Sequence, residues 1–329
     1  MKLDVTDRIL LNRLQVEIPL VTQPWRVVAE ELGIQQEEVL QRLESLKNQG
    51  VIRRIGGVFN PAGLGYTGRL YAMQVAEDRF YTTAAVVNSY KGVTHNYRRR
   101  NWLNMWFTLT ARTEEERRAM LEPIREAAGN TQLYEFPAEQ VFKLKLFLNM
   151  EGKPAATNTN FVQEKNNDSR FIREQSKIDT LDLLIIRELQ GDLPLLTEPY
   201  HEVARRTGCR VEEVILRLQR LQAGGALKRV GVILKHRKVG FSANGLFVCV
   251  LPEEKINEAG QRLASFEEVS HCYKRQSYPE WPYNVYAMIH GATEAEVQQI
   301  VEGFIREKSI ESYDILFSTE ELKKTSFSI

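Results

Sequence analysis

The sequence predicts an α+β protein in which one module occurs twice. Residues of the first half recur 175 positions later, without a gap over about sixty residues, as expected for an internal duplication. Pro24 and Gly33, for example, recur as Pro199 and Gly208. Within each copy, apolar residues first follow helical spacing and then alternate as in strands. The fold class therefore follows from the repeat and from this change of period.

Each copy begins with a pattern typical of three short helices. In the first copy, Pro24 favours the start of the second helix, and Gly33 and Gly50 favour the ends of the second and third. Three helices in this order predict a helix-turn-helix. Residues 51–55 and 58–59 then predict a two-stranded wing.

The rest of each copy predicts a ferredoxin-like domain. Strands and helices are expected in the order βαββαβ, and the second half repeats this order up to Leu316. In the first copy we expect the strands at residues 69–75, 92–100, 104–111 and 132–136, and the helices at 81–90 and 113–128. The fold class is thus a tandem duplication of a winged helix-turn-helix followed by a ferredoxin-like domain.

Five segments follow from this pattern. Residues 1–65 and 178–240 are the predicted winged helix-turn-helix domains, and residues 66–150 and 241–329 the predicted ferredoxin-like domains. Residues 151–177 are rich in Asn, Lys, Gln and Ser, which predicts a flexible linker. We expect the two halves to pair with each other, because an open sheet face with aromatic side chains needs a cover.

Composition excludes several classes of protein. The 329 residues are 43% hydrophobic and 26% charged with a formal net charge of +1, as in an ordinary soluble protein without a strong field for nucleic acid. No apolar run is long enough to span a bilayer, and no signal peptide is evident, so we expect a cytoplasmic protein. The three cysteines never form Cys-x-x-Cys, which argues against a zinc or iron–sulfur site.

One motif occurs in both copies. His95 and Tyr97 precede three arginines, and His271 and Tyr273 precede Lys274 and Arg275. Histidine can move protons or bind a metal near neutral pH, and neighbouring cations attract carboxylates or phosphates. The other three histidines, which we interpret as structural or surface residues, have no histidine counterpart in the first half: His201, His236 and His290.

Strand alternation places part of this motif on the uncovered face of the sheet. Met105, Phe107 and Leu109 are expected to face the helices, which leaves Trp106 on the other face with His95 and Tyr97. Burying the run of arginines under helices would be costly, so we expect the alternation to break near the following hairpin.

The order of domains resembles the Lrp/AsnC transcription regulators. That resemblance implies the alternative function, a ligand-responsive DNA-binding regulator. Such regulators insert the third helix into the major groove. Here its first turn contains Glu37 and Glu38, and the second copy has Glu212 and Glu213, which would repel phosphates. We therefore expect no DNA partner.

A closer resemblance covers nearly all of both halves and is to the sirohaem decarboxylases of the Ahb and Nir type, in a fused two-subunit form. The motifs that carry it are Pro24-Trp25, Arg53-Arg54-Ile55-Gly56-Gly57-Val58-Phe59, Gly63-Leu64-Gly65-Tyr66, His95-Asn96-Tyr97-Arg98-Arg99, Asn101-Trp102-Leu103-Asn104-Met105-Trp106-Phe107 and Phe142-Lys143-Leu144-Lys145. The resemblance implies that two acetate side chains of sirohaem leave as carbon dioxide to give didecarboxysirohaem, in haem d1 or alternative haem biosynthesis. It implies a lyase with no added organic cofactor, because the iron belongs to the substrate.

A flat iron tetrapyrrole with many carboxylates needs an aromatic slot and a cationic rim. We predict His95 and His271 as catalytic proton donors; alternatively, either histidine binds the substrate's iron, and the protein alone holds no metal. The predicted substrate-binding residues are Tyr97, Arg98, Arg99, Arg100, Trp102, Asn104, Trp106, Lys143, Lys145, Tyr273, Lys274 and Arg275. We expect the arginine-rich first half to hold the working pocket and the second half to cover it. The sequence leaves open whether the chain forms a homodimer.

Overall fold

The structure is a computed structural model that describes residues 3–144, 178–235 and 243–329. These residues form two compact units, and each unit combines corresponding parts of both copies. The helical unit contains residues 3–65, 178–235 and 328–329, and the sheet unit contains residues 66–144 and 243–327. The predicted linker at residues 151–177 lies outside the described residues.

The helical unit contains the same elements from each copy. The first copy provides helices α1 (Val5–Val16), α2 (Pro24–Leu32) and α3 (Gln36–Asn48) and strand β1 (Ile52–Phe59). The second provides α6 (Thr180–Gln190), α7 (Pro199–Thr207), α8 (Val211–Ala223) and β7 (Leu227–Leu234).

The predicted helix signals are confirmed in both copies. Pro24 and Pro199 occupy the first turn of α2 and α7. Each of these helices ends at a glycine in the left-handed region, Gly33 with φ 66° and Gly208 with φ 73°. Such angles favour glycine because it lacks a Cβ atom.

The predicted wing is wrong. Residues 52–59 form one continuous strand that pairs antiparallel with β7 of the other copy, with Gly56 opposite Gly231. A Cβ atom at Gly56 would lie 2.5 Å from the carbonyl oxygen of Leu189, so the glycine permits the end of α6 to approach the strand. Gly56 therefore serves close packing inside one continuous strand.

The sheet unit also contains both copies. The first copy provides β2 (Thr67–Met73), α4 (Phe80–Ser89), β3 (Val93–Arg99), β4 (Met105–Ala111), α5 (Glu114–Ala127), β5 (Leu133–Phe136) and β6 (Ala138–Leu144). The second provides β8 (Ala243–Cys249), α9 (Glu253–Ser265), β9 (Val269–Arg275), β10 (Val285–Gly291), α10 (Glu294–Lys308) and β11 (Tyr313–Lys324). The βαββαβ order is confirmed, whereas β6 and the second half of β11 were not predicted.

These additional strand segments exchange between the copies. Strand β6 pairs with β9 of the second copy, and residues 318–324 of β11 pair with β3 of the first. The result is one nine-stranded sheet in the order β5-β2-β4-β3-β11-β8-β10-β9-β6. The expected pairing of the two halves is therefore confirmed: in each unit, a strand of one copy pairs with a strand of the other.

The nine-stranded sheet closes on itself. Its two edge strands, β5 and β6, follow each other along the chain with only Pro137 between them. Strand β5 therefore continues directly into β6, and this connection joins the two edges of the sheet. The helices cover the outside, where two clusters of buried apolar residues lie, one for each copy. A third cluster fills the inside and combines residues of both copies, including Trp106, Phe136, Trp281 and Tyr286.

No helix in the described ranges is long and apolar enough to cross a membrane.

Candidate functional site

The predicted grouping of His95, Tyr97 and Trp106 on one face is confirmed. Tyr97 pairs directly with Trp106, and the rings of His95 and Tyr97 stack with centroids 6.2 Å apart. The alternation breaks, but at the start of the strand rather than near the hairpin. An irregularity between Val93 and His95 leaves Val93 under the helices and turns His95 to the inner face.

The second copy repeats this geometry. An irregularity follows Val269, which lies in the helix-covered core, and His271 stacks on Tyr273 with centroids again 6.2 Å apart. Tyr273 pairs directly with Tyr286 of the inner cluster. Both motifs therefore present a histidine and a tyrosine to the inside of the closed sheet.

Both histidines lie at the same end of the closed sheet. Four antiparallel pairings lead from β3 through β11, β8 and β10 to β9, so β3 and β9 run in the same direction. His95 and His271 both lie near the beginning of their strands. We call this region the histidine end, defined by His95, Tyr97, His271 and Tyr273.

Two arginines, one buried and one partly buried, lie next to the tyrosine rings. Arg99 is 5% exposed and donates to the carbonyl oxygen of Leu316 at 2.6 Å. Its counterpart Arg275 donates to the carbonyl oxygen of Phe136 at 2.5 Å, and its guanidinium lies 4.4 Å from the ring centroid of Tyr273. These bonds join each copy to a strand of the other.

Neither arginine has a compensating acid among the described residues. The Nε atoms of Arg99 and Arg275 are buried without a hydrogen-bond partner, and within the described ranges neither guanidinium lies in an ion pair. Burial lowers the pKa of Arg99 to about 10, and it lowers the pKa of Arg275 as well. A carboxylate bound from outside would offset the cost of these buried charges.

Two other predicted cations lie on the opposite, helix-covered face. The guanidinium of Arg98 lies 4.3 Å from the ring centroid of Phe80 and pairs with Glu77. Lys274 pairs in the corresponding way with Glu253 at 2.6 Å. The structure thus separates Arg98 and Lys274 from the histidine end. Arg100 is largely exposed and lies 3.7 Å from Glu294.

Lys143 is engaged at the end of a helix. Its ammonium group donates to the carbonyl oxygen of Phe266, just after α9, at 2.5 Å. Its counterpart Lys323 donates to the carbonyl oxygens of Asn88 and Tyr90 at the end of α4, at 2.7 and 2.8 Å. A cation at a helix C-terminus is favoured electrostatically, so these lysines fasten the exchanged strands. Lys145 lies outside the described residues.

Three further predicted residues have different environments. Trp106 is 1% exposed, donates to the carbonyl oxygen of Leu103 at 2.7 Å and stacks on Phe136. Both amide atoms of Asn104 bond the backbone of Val75 at 2.8 Å. Trp102 is 41% exposed and packs edge-on against Trp281. Trp106 and Asn104 thus have structural contacts, and Trp102 keeps an accessible surface.

Sequence reasoning missed a chain of polar groups behind His271. The Nδ1 atom of His271 lies 2.7 Å from Ser270 Oγ, which lies 2.7 Å from Nε2 of His290. Nδ1 of His290 lies 2.6 Å from Oδ1 of Asn244. Burial, with a smaller effect of the nearby Lys324 charge, lowers the pKa of His290 to about 4. The sequence interpretation of His290 as a structural or surface residue rests on the lack of a matching histidine in the first half. The signal for a role in the site is the position of His290 on the inner face of its strand.

The strands beside the two histidines also differ. Lys324 pairs directly with His95 and Glu321 with Tyr97. At the matching positions of the second copy, Leu144 pairs with His271 and Val141 with Tyr273. Leu144 and Val141 are 47% and 50% exposed. The histidine end therefore has a charged side next to His95 and an apolar, accessible side next to His271.

Within the residues that the structure covers, no group of three His, Cys, Asp or Glu side chains could hold a metal ion. The histidine end and the arginines at the far ends of β3 and β9 instead offer imidazole rings, tyrosines and guanidinium groups. This set can bind carboxylates, transfer protons, or present an imidazole nitrogen to a metal carried by a ligand.

The fold and this site define a class: a tandem AsnC-like chain whose ligand-binding domains have merged into one closed sheet. The family model described as an AsnC-like ligand binding domain matches residues 63–143 and 238–323. The model described as a "Siroheme decarboxylase NirDL-like HTH domain" matches residues 7–53 and 182–227. The chain belongs to the sirohaem decarboxylase family.

Relatives and a solved structure support this membership over the whole length. The chain is 33% identical over 316 residues to the sirohaem decarboxylase of Hydrogenobacter thermophilus, covering 96% of this chain and 92% of the relative. The sirohaem decarboxylase NirDL subunit of Paracoccus pantotrophus is 32% identical, with 92% and 89% covered. A crystal structure of the sirohaem decarboxylase NirDL in complex with an iron-uroporphyrin III analogue has a TM-score of 0.74 and 30% identity, covering 98% and 94%.

The burial of Trp106 gives a testable distinction from Trp102. Replacing Trp106 by alanine leaves a cavity inside the closed sheet, so we expect the free energy of unfolding to fall by about 3–5 kcal/mol. Trp102→Ala, at an accessible position, should cost less than about 1 kcal/mol. Urea unfolding followed by far-ultraviolet circular dichroism measures both. Equal losses in the two variants would contradict the structural role of Trp106.

Proposed function

We propose that the chain is a sirohaem decarboxylase that converts two acetate side chains of sirohaem into methyl groups, giving didecarboxysirohaem. The observation that carries this proposal is the pair of histidine and tyrosine stacks at one end of a closed sheet, next to buried arginines without an acid partner in the described residues. Relatives of matching length that bear the name sirohaem decarboxylase support it. The related NirDL structure with an iron-uroporphyrin analogue supports tetrapyrrole binding.

The arginines suit the substrate's carboxylates. Arg99 and Arg275 already donate one bond each to a backbone carbonyl, which fixes their orientation. Their remaining N–H groups are suited to bind carboxylates that stay on the tetrapyrrole, because a guanidinium binds a carboxylate with two parallel hydrogen bonds. Tyr97 and Tyr273 offer flat surfaces against which the tetrapyrrole macrocycle can lie.

The apolar side of the histidine end suits the carboxylates that leave. An arginine bound to the reacting carboxylate would stabilise the ground state and oppose loss of its charge. Leu144 and Val141 beside His271 offer surroundings that favour loss of charge, whereas the side of His95 carries Lys324 and Glu321, which form an ion pair. We therefore place at least one of the two reacting acetates on the side of His271, whereas the sequence suggested the arginine-rich first half as the working pocket.

The reaction needs a proton for each carbon dioxide released. When the bond between the methylene carbon and the carboxylate breaks, the electron pair remains on the methylene carbon and is delocalised into the macrocycle. A protonated imidazole then donates a proton to that carbon and completes the methyl group. His271 and His95 are the proposed donors. Binding of an imidazole to the substrate's iron is the alternative role for either ring.

The balance of atoms requires no oxidant and no organic cofactor, and the iron enters with the substrate. We propose a cytoplasmic location and one tetrapyrrole for each chain, bound between the two histidines at the histidine end. The alternative function, a ligand-responsive DNA-binding regulator, is disfavoured by Glu37, Glu38, Glu212 and Glu213 in the first turns of α3 and α8. A gel-shift assay tests that alternative.

Anaerobic incubation with sirohaem tests the proposed function. We expect mass analysis of the extracted tetrapyrrole to show the loss of two carbon dioxide units. His95→Ala and His271→Ala should both lower the rate, and full turnover by both variants would contradict the proton-donor roles. Tight, salt-sensitive DNA binding without turnover would overturn the proposal in favour of the regulator.

The two faces of β3 provide a matched pair of arginine variants. Arg99→Gln removes a buried charge but keeps a donor for Leu316, and we expect it to weaken sirohaem binding by roughly 10- to 100-fold, the equivalent of about 1.5–3 kcal/mol for a charge-assisted bond. Arg98→Gln, on the helix-covered face, should change binding by less than about 2-fold. An anaerobic absorption titration measures both. Equal effects would contradict the assignment of the inner arginine to the substrate.

A further inference from the structure

The hydrogen bonds behind His271 have a defined direction. Oδ1 of Asn244 only accepts, so Nδ1 of His290, 2.6 Å away, carries a hydrogen. His290 is neutral at working pH because burial lowers its pKa to about 4. Its Nε2 atom therefore accepts, and Ser270 Oγ donates to it at 2.7 Å. With its hydrogen engaged, Ser270 Oγ accepts from Nδ1 of His271 at 2.7 Å.

Nδ1 of His271 donates to Ser270 Oγ in both charge states of the His271 ring. In the neutral ring, the hydrogen is held at Nδ1, and in the imidazolium, a second hydrogen is added at Nε2. A carboxylate that holds the Nδ1 hydrogen of a catalytic histidine has the same effect on tautomer and orientation. Here the acceptor is a serine whose own hydrogen is engaged by a neutral histidine.

The first copy lacks this chain. Gly68 and Thr110 occupy the positions of Asn244 and His290. Thr94 Oγ1 lies 3.0 Å from Nδ1 of His95 and 2.8 Å from the hydroxyl of Thr108, and either hydroxyl can be the donor. No residue behind Thr94 corresponds to the acceptor at Asn244 or to the neutral ring of His290. The two copies thus share the histidine but differ in what sets its tautomer.

We propose that Asn244, His290 and Ser270 are positioning residues that hold the hydrogen of His271 at Nδ1, so that His271 exchanges its proton with the tetrapyrrole only through Nε2. The delivery of that proton rests on the proposed function, whereas the tautomer does not. His95 has Thr94 and Thr108 in place of this chain, so the two centres are not equivalent. The side of the site with the relay is also the side with Leu144 and Val141.

The tautomer can be measured without substrate. The chain has five histidines, so a ¹⁵N-histidine-labelled sample gives an interpretable imidazole spectrum, assigned with His→Gln variants. At neutral pH we expect a protonated Nδ1 and an unprotonated Nε2 for His271, and a protonated Nδ1 for His290. A spectrum with His271 protonated at Nε2 alone would overturn the proposal.

A pair of variants at Ser270 tests the relay. Ser270→Ala removes the link and should release His271 into a mixture of tautomers, whereas Ser270→Thr, which copies Thr94, should retain the Nδ1 form. Thr110→Val, at the first-copy position that corresponds to His290, is the control and should leave the His271 signals unchanged. An unchanged tautomer in Ser270→Ala would overturn the proposal.

Turnover provides the second readout. Ser270→Ala and Asn244→Ala should lower kcat for sirohaem by roughly 10- to 100-fold, as is usual for residues that orient a reacting group, with KM changed by less than about 3-fold. An increase in KM with kcat unchanged would overturn the positioning role. If the wild-type chain failed to release carbon dioxide while the tautomer was as expected, the proposed function would fail and the relay would stand.

Discussion

The exchange of strands between the two copies is the constraint on which the rest of the sheet unit depends. Strand β6 completes the sheet of the second copy, and the end of β11 completes that of the first. Without this exchange, each copy would present an open sheet face with aromatic side chains to water. The exchange closes the sheet, buries Trp106, Phe136, Trp281 and Tyr286 inside it, and brings both histidines to one end. The site is therefore a product of the duplication.

Some contacts are the same in both copies because they maintain this exchange. Arg99 and Arg275 each bond a carbonyl oxygen of the other copy's strand, and Lys323 and Lys143 each fasten an exchanged strand to the end of a helix. These interactions are closely matched, which indicates that both halves need them for assembly. The two arginines also retain unsatisfied hydrogen-bonding capacity, so the groups that hold the sheet together also prepare it for a carboxylate ligand.

The copies differ where a bound tetrapyrrole would lie. Lys324 beside His95 corresponds to Leu144 beside His271, and Thr110 behind His95 corresponds to His290 behind His271. A charged side can hold carboxylates that remain, and an apolar side favours loss of charge from one that leaves. The duplication thus supplied one scaffold twice, and divergence of a few inward-facing residues gave the two histidines different surroundings.

The sequence predicted the local features well. Pro24 and Gly33 mark helix ends through backbone geometry alone, and strand alternation was enough to group His95, Tyr97 and Trp106. It failed where partners are distant along the chain. The wing was wrong because alternation does not reveal that β1 pairs with β7. The helix-side position of Arg98 was missed because burial of its charge was expected to be too costly, whereas Glu77 and the ring of Phe80 compensate that charge. His290 was missed because its role depends on Ser270 and Asn244, which come from two other strands.

The central claim is that both histidine centres act on one tetrapyrrole inside the closed sheet. The most direct test is an anaerobic absorption titration of the full chain with sirohaem, carried out on the wild type and on His95→Ala and His271→Ala. The account predicts one sirohaem bound per chain, with each substitution altering the spectrum of that single bound species. Two equivalents of sirohaem per chain, with each substitution removing only one of them, would contradict it.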